Sequence, residues 1–149
     1  MALDMLTKRW AAMAFSDGPQ TIIPGVLSFR FTENSGAAFS LFQDAGAWLG
    51  VAAVIAVGLI GASLGRRRPL FEVVAFGMII GGALGNLIDR IARGEGFLDG
   101  RVIDWVQLPN YPTFNVADSS ISVAVVVLLI GSWRAGSSVK DRAGDDAAD

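Results

Sequence analysis

Residues 45–65 read AGAWLGVAAVIAVGLIGASLG and contain no charged side chain. A bilayer core of about 30 Å takes roughly 20 apolar residues in a helix rising about 1.5 Å per residue. This stretch therefore predicts a complete transmembrane helix. Two further apolar runs lie downstream. Residues 73–88 reach spanning length only if the helix starts near Pro69, a residue that suits a first helical turn. Glu72 then lies near the headgroups, where a charge costs less than at mid-bilayer. Residues 119–133 span only if their helix begins near Ala117, which sets Asp118 at the membrane boundary. One short apolar run is equally compatible with a buried core helix; three in 149 residues favour lipid as the solvent.

Composition agrees. Hydrophobic residues make up 52% of the chain and charged residues 17%, with a mean hydropathy of +0.50. A soluble domain carries about 25% charged residues, so this chain has too few to cover a globular surface. A net charge of −2 lacks the basic footprint of a nucleic-acid binder. The chain has no Cys and no His. That excludes a disulfide framework, a Ser–His–Asp triad, a cysteine nucleophile, an HExxH zinc site and a Cys/His metal cage. Hydrolytic chemistry here falls to carboxylates, Lys or Ser.

The polar segments fix an expected topology. Arg66, Arg67 and Arg68 form a dense basic loop between the first two spans, which favours the cytoplasmic side. The Gly-, Ser-, Asp- and Ala-rich tail, 135–149, is then also inside and reads as disordered. Residues 1–44 and 89–116 fall outside. Residues 1–15 are too polar and too short to span. Residues 26–31 are rich in β-formers and read as a strand. Val102-Ile103 and Trp105-Val106 make a short extended piece around Asp104, and Pro109-Asn110-Tyr111-Pro112 is turn chemistry. A small sheet on the membrane surface fits these segments. Glycines in every span (Gly58, Gly61 and Gly65; Gly77, Gly81, Gly82 and Gly85; Gly131) read as close helix packing.

An ionisable residue at a membrane is costly and so is a functional candidate. Asp89, Asp99, Asp104 and Asp118 lie near the outer ends of the second and third spans. Asp104 sits among apolar neighbours and Asp118 opens the last span, with a Pro-bounded turn between that can bring them together. Two carboxylates in contact share a proton, so one can activate water while the other acts as acid. Each has a plainer reading: Asp118 as a helix N-cap, Asp104 as a surface strand residue paired with an arginine. Arg90 suits the C-terminal end of the second span, with Asp89 or Asn86 as a partner. A non-enzymatic membrane protein with acids along an ion path is the rival class.

Five blocks in order resemble the lipoprotein signal peptidase (signal peptidase II) family. They are Asp4-Met5-Leu6-Thr7-Lys8, Asn34-Ser35-Gly36-Ala37-Ala38-Phe39-Ser40, Gly81 through Arg90, Val102-Ile103-Asp104-Trp105 and Phe114-Asn115-Val116-Ala117-Asp118-Ser119. Trp105 stands where the family commonly has Phe. The resemblance implies a mainly α membrane protein, a helix bundle with a small extracytoplasmic β-element, forming one embedded peptidase domain over residues 1–134. It implies an aspartic endopeptidase that cuts signal peptides from bacterial prolipoproteins just before a diacylglyceryl-modified cysteine. Asp104 and Asp118 would be the catalytic pair, with Asn34, Asn86, Arg90 and Asn115 lining or supporting the site. Asp4, Lys8 and Asp89 would be structural. The implied partners are lipid-modified prolipoproteins, membrane lipids and globomycin-type inhibitors, with no metal or cofactor. The implied location is the bacterial cytoplasmic membrane, with the site on the outer face. The family has four spans, and here the Asp4–Lys8 element comes at once. The resemblance thus implies a first span of about 20 apolar residues, mostly lying before Met1.

Overall fold

The computed structural model describes residues 1–36, 46–65 and 67–145, with side chains described up to residue 134. The elements run α1 (Ala2–Ala14), β1 (Gln20–Ile23), β2 (Leu27–Asn34), α2 (Gly46–Ser63), α3 (Leu70–Ala92), β3 (Val102–Gln107) and α4 (Val116–Asp145). By length and composition, three stretches among the described residues can cross a membrane: Gly46–Ser63, Leu70–Ala92 and Val116–Arg134. Pro69 caps α3 at its N-terminus, as the proline suggests. The arginine loop is only partly described, since Arg66 lies outside the described residues; Arg68 pairs with Glu72 at 2.7 Å. The tail, read from the sequence as disordered over 135–149, continues as α4 through Asp145 in its backbone, and residues 146–149 lie outside the described residues.

The short N-terminal segment is a helix turned inside out. Asp4, Lys8 and Ala11 are its buried residues. They recur at helical spacing on one stripe, with Phe15 continuing it. Leu3, Leu6, Trp10 and Met13 are exposed. An apolar face outward and a charged face inward suit a lipid surround, because the two charges find partners inside.

The three strands form one antiparallel sheet in the order β1-β2-β3. β1 was not expected from the sequence: it has only four residues and all are exposed. Its hairpin signal was nonetheless present. Pro24 and Gly25 fill the centre of a tight turn closed by Val26 N–H on Ile23 O at 3.0 Å, with Gly25 at φ +71. A left-handed φ at the second central position favours glycine. β2 runs further than residues 26–31, to Asn34, and so carries that side chain to the sheet end. In β2–β3 pairing Thr32 faces Asp104 and Asn34 faces Val102. The turn at Pro109 is present, with Asn110 at φ +57 and Tyr111 N–H on Leu108 O at 3.3 Å.

Trp10, Phe15, Phe29 and Trp105 interlock edge to face or tilted, at centroid distances of 4.9–5.9 Å, and tie α1 to the sheet. α3 and α4 pack against each other, and Ser120 Oγ donates to Met78 O at 3.0 Å across them. The glycine reading holds at Gly82 and Gly85, and at Gly131, where a Cβ would run into the Phe71 ring, and it fails at others. A Cβ on Gly82 would lie 2.7 Å from Ala117 O and 2.8 Å from Ile121 Cγ1; one on Gly85 would lie 2.6 Å from Asp4 Oδ2. Gly58, Gly61, Gly65 and Gly77 meet nothing within 4 Å, so they face away from the described packing. Gly82→Val is therefore expected to force α3 and α4 apart and to cost about 1–3 kcal/mol. Thermal unfolding in detergent checks this against Gly58→Val, which should melt close to the parent. Equal melting of the two variants would place the close approach elsewhere.

Candidate functional site

The site forms where the end of α3, the strand β3 and the start of α4 meet. α4 starts there because Asn115 caps it. Asn115 Oδ1 accepts Asp118 N–H at 3.0 Å, and Asp118 Oδ2 accepts Asn115 N–H at 3.1 Å. This is a capping box, two orphan donors satisfied reciprocally. The N-cap expected at Asp118 thus lies three residues earlier. Asp118 is the third helical residue, its carboxylate held beside the cap.

Asp104 is buried at 2% exposure in the middle of β3. It is not a surface residue, and it forms no ion pair with an arginine among the described residues. Instead two amides donate to it: Asn34 Nδ2 to Oδ2 at 3.0 Å, and Asn115 Nδ2 to Oδ1 at 2.7 Å. Asn34 is itself oriented, since its Oδ1 accepts Gly36 N–H at 3.0 Å. Asn86 Nδ2 donates to Asp118 Oδ1 at 2.8 Å, and Asn86 Oδ1 accepts Asn115 Nδ2 at 3.1 Å. Asn115, wholly buried, therefore touches both carboxylates. Burial first, and then the negative charge of Asp118, push the Asp104 carboxyl up from 3.8 to about 7, against the lowering pull of Asn34, Asn115 and Lys8.

The other predicted residues fall as follows. Arg90 is buried and reaches Gly36 O at 3.4 Å, the near end of the Asn34 motif. Residues 37–40 of that motif lie outside the described residues. Neither Asp89 nor Asn86 makes the expected pair with Arg90. Adjacent residues on a helix do not face each other, so Asp89 turns to Lys8 at 2.8 Å and to Arg93, one turn on, at 3.1 Å. Asp99 accepts Gly96 N–H at 3.0 Å and closes a local turn. Of the four outer acids, two meet through Asn115 and two serve other contacts. Lys8 contributes more than the sequence suggested: its ammonium also donates to Asn86 Oδ1 at 2.9 Å. The signal for it was a pair of opposite charges one turn apart on an otherwise largely apolar helix.

A groove of about 740 Å³ opens on Asp104. Its lining includes Thr32, Asn34, Gly36, Pro109, Tyr111 and Thr113. Among the described residues no cluster of acids fits a metal ion.

Three apolar helices, with a carboxylate pair at one shared end, Asp104 buried and Asp118 half-buried, and an open groove beside it, define a multi-pass membrane protein with an ionisable site near the edge of its spans. Comparison with known proteins narrows the class. The family model described as "Signal peptidase (SPase) II" matches residues 1–134. The lipoprotein signal peptidase of Thermosynechococcus vestitus is 45% identical over 141 residues, covering 89% of this chain and 85% of that protein. That of Bifidobacterium longum is 41% identical over 132 residues, covering 87% and 71%. A solved bacterial membrane enzyme superposes with a TM-score of 0.80 at 27% identity, covering 92% of this chain and 84% of the other. The chain belongs to the signal peptidase II family, and it is a peptidase.

Proposed function

We propose that this chain cleaves the signal peptide from diacylglyceryl-modified bacterial prolipoproteins just before the lipidated cysteine, with Asp104 and Asp118 as an aspartic catalytic pair. The observation that carries the reading is the Asn115 bridge. It joins the buried Asp104 carboxylate to the half-buried Asp118 at the end of apolar helices, beside a groove that reaches Asp104.

The pair holds one proton between two groups that cannot readily both ionise. The ionised carboxylate takes a proton from water as its oxygen adds to the scissile carbonyl carbon. The protonated partner gives its proton to the carbonyl oxygen. The tetrahedral species collapses when that proton returns to its carboxylate and the first carboxyl passes the proton taken from water to the nitrogen, breaking the C–N bond and restoring the pair's single proton. No covalent enzyme intermediate forms. The acyl chains of the substrate stay in the bilayer while the groove holds the chain around the cut, so that binding becomes positioning. The extracytoplasmic face of the cytoplasmic membrane is the proposed side, because Arg67 and Arg68 lie at the opposite end of α3 from the site. Globomycin-type cyclic peptides are proposed to compete for the same groove. An ion-path role is disfavoured, since the paired acids gather at one end of the helices.

The test is mass spectrometry of the products from a prolipoprotein peptide with and without the diacylglyceryl group. Cleavage only of the lipidated peptide, immediately before its cysteine, is expected. Equal cleavage of the unmodified peptide, or a cut elsewhere, overturns the substrate assignment.

The raised Asp104 carboxyl predicts a pH limb. As pH rises through about 7, the pair loses its one proton and the acid for the carbonyl oxygen with it. Turnover should then fall about tenfold per pH unit, the slope of a single ionisation. Asn34→Leu removes a donor that favours the ionised form, so the limb should move to higher pH. A limb unmoved in this variant would separate Asn34 from the titrating pair.

A further inference from the structure

Lys8 is buried to 2% exposure and its ammonium has three close partners. Asp4 Oδ2 and Asp89 Oδ2 each lie at 2.8 Å, and Asn86 Oδ1 at 2.9 Å. An ammonium has three donors and no acceptor; here two of its contacts are ion pairs and the third is a hydrogen bond. The two carboxylates account for its charge. The third bond goes to a neutral amide whose other end faces Asp118. That amide has only one sensible orientation. Its oxygen lies between two donors, Lys8 Nζ and Asn115 Nδ2, while its NH2 donates to Asp118 Oδ1 at 2.8 Å. Turning it over would set NH2 against an ammonium and oxygen against a carboxylate.

We propose that Lys8 is a positioning residue for the peptidase reaction, locking the Asn86 amide so that Asp118 always meets a donor. The inference rests on the proposed catalytic pair and adds to it a residue from α1 that does not touch either carboxylate of the pair. Asp118 then has one oxygen held by Asn86 and the other by the Asn115 N–H, so the plane of its carboxylate is set from two elements. Lys8 holds the first of these, and the helix cap holds the second. A lysine serving only as an ion-pair partner would leave the amide oxygen with the Asn115 NH2 as its one donor.

The charged groups facing the pair are Lys8 and Asp4 from α1, and Asp89 and Arg90 from α3. Removing Lys8 alone would leave Asp4 and Asp89 with Arg93 as their one cation. The test is therefore run in an Asp4→Asn background, where the amide oxygen can still accept the Ala117 N–H that Asp4 Oδ1 takes at 2.9 Å. Lipidated-peptide cleavage is measured for that background, for Lys8→Met, for Asn86→Ala and for both together. Lys8→Met should lower kcat on the order of tenfold to a hundredfold, the effect of a misplaced group, with KM little changed. In the Asn86→Ala background the same change should cost nothing more, because its effect passes through Asn86. An unchanged kcat in Lys8→Met, or losses that multiply in the double variant, overturns the proposal. If Lys8→Met does not fold, Asn86→Asp decides. It keeps the shape and the oxygen facing Lys8 but has no NH2 for Asp118, so a fall in kcat supports the proposal and full kcat overturns it. Asp118→Asn, run alongside, should be inactive; activity there would instead bring down the catalytic reading itself.

Discussion

Asp104→Asn and Asp118→Asn should each lower turnover of a lipidated prolipoprotein peptide by about 10²–10⁴-fold, the range for losing a positioned acid or base. The two losses should not multiply in the double variant, because residues that act as one unit are not additive. Each change is nearly isosteric, so the loss is one of protonation chemistry and not of shape. In Asp104→Asn the new amide would meet two amide donors, from Asn34 and Asn115, with only one oxygen to offer. In Asp118→Asn the new amide would face Asn86 Nδ2 and the Asn115 N–H under the same limit. Melting temperature in detergent should therefore shift modestly while turnover collapses. Substantial turnover in either folded variant would remove that aspartate from the pair.

The second large effect is expected at Asn115, which has two roles that substitutions can separate. Its side-chain oxygen caps α4, while its NH2 donates to Asp104, Asn86 and Ile103 O. Asn115→Ala removes the cap and leaves a buried carboxylate and a buried carbonyl short of a donor. A cap is worth about 1 kcal/mol and an unsatisfied buried group about 1–3 kcal/mol, so a loss of roughly 2–4 kcal/mol is expected. Asn115→Ser keeps a capping oxygen and loses the arm to Asp104. It should recover part of the stability lost by Ala and little of the activity. Thermal unfolding and kcat, measured on both variants, check the separation. Recovery of both quantities together in Ser would mean that Asn115 acts only as a cap.

Much of this architecture was legible because lipid makes composition decisive. A charge-free run at 45–65 has few other homes, and Pro69 marks the start of α3 by its own geometry. The short extended piece around Asp104 and the turn after it were readable from β-formers and from Pro109-Asn110. The site was harder, since its contacts link distant parts of the chain. Lys8 meets Asn86 across 78 positions, and Asn34 meets Asp104 across 70. Only the family's ordered blocks placed Asn34 and Asn86 with Asp104, and Lys8 read there as structural. Local spacing misled at Asp118, where a boundary position suggested a cap. The preceding Asn-x-x-Asp spacing, from Asn115, was the better signal. Spacing alone also failed at Asp89, whose neighbour Arg90 turns to another face of α3. β1 escaped because four exposed residues between two prolines carry almost no alternating pattern.

The most direct test of the central claim is cleavage of a diacylglyceryl-modified prolipoprotein peptide by the purified chain in nanodiscs, with Asp104→Asn and Asp118→Asn run in parallel and all three shown to be folded. The account predicts a signal peptide released immediately before the modified cysteine by the parent chain and by neither variant. Release by either variant at a rate near the parent's would contradict it, as would a folded parent that cleaves nothing.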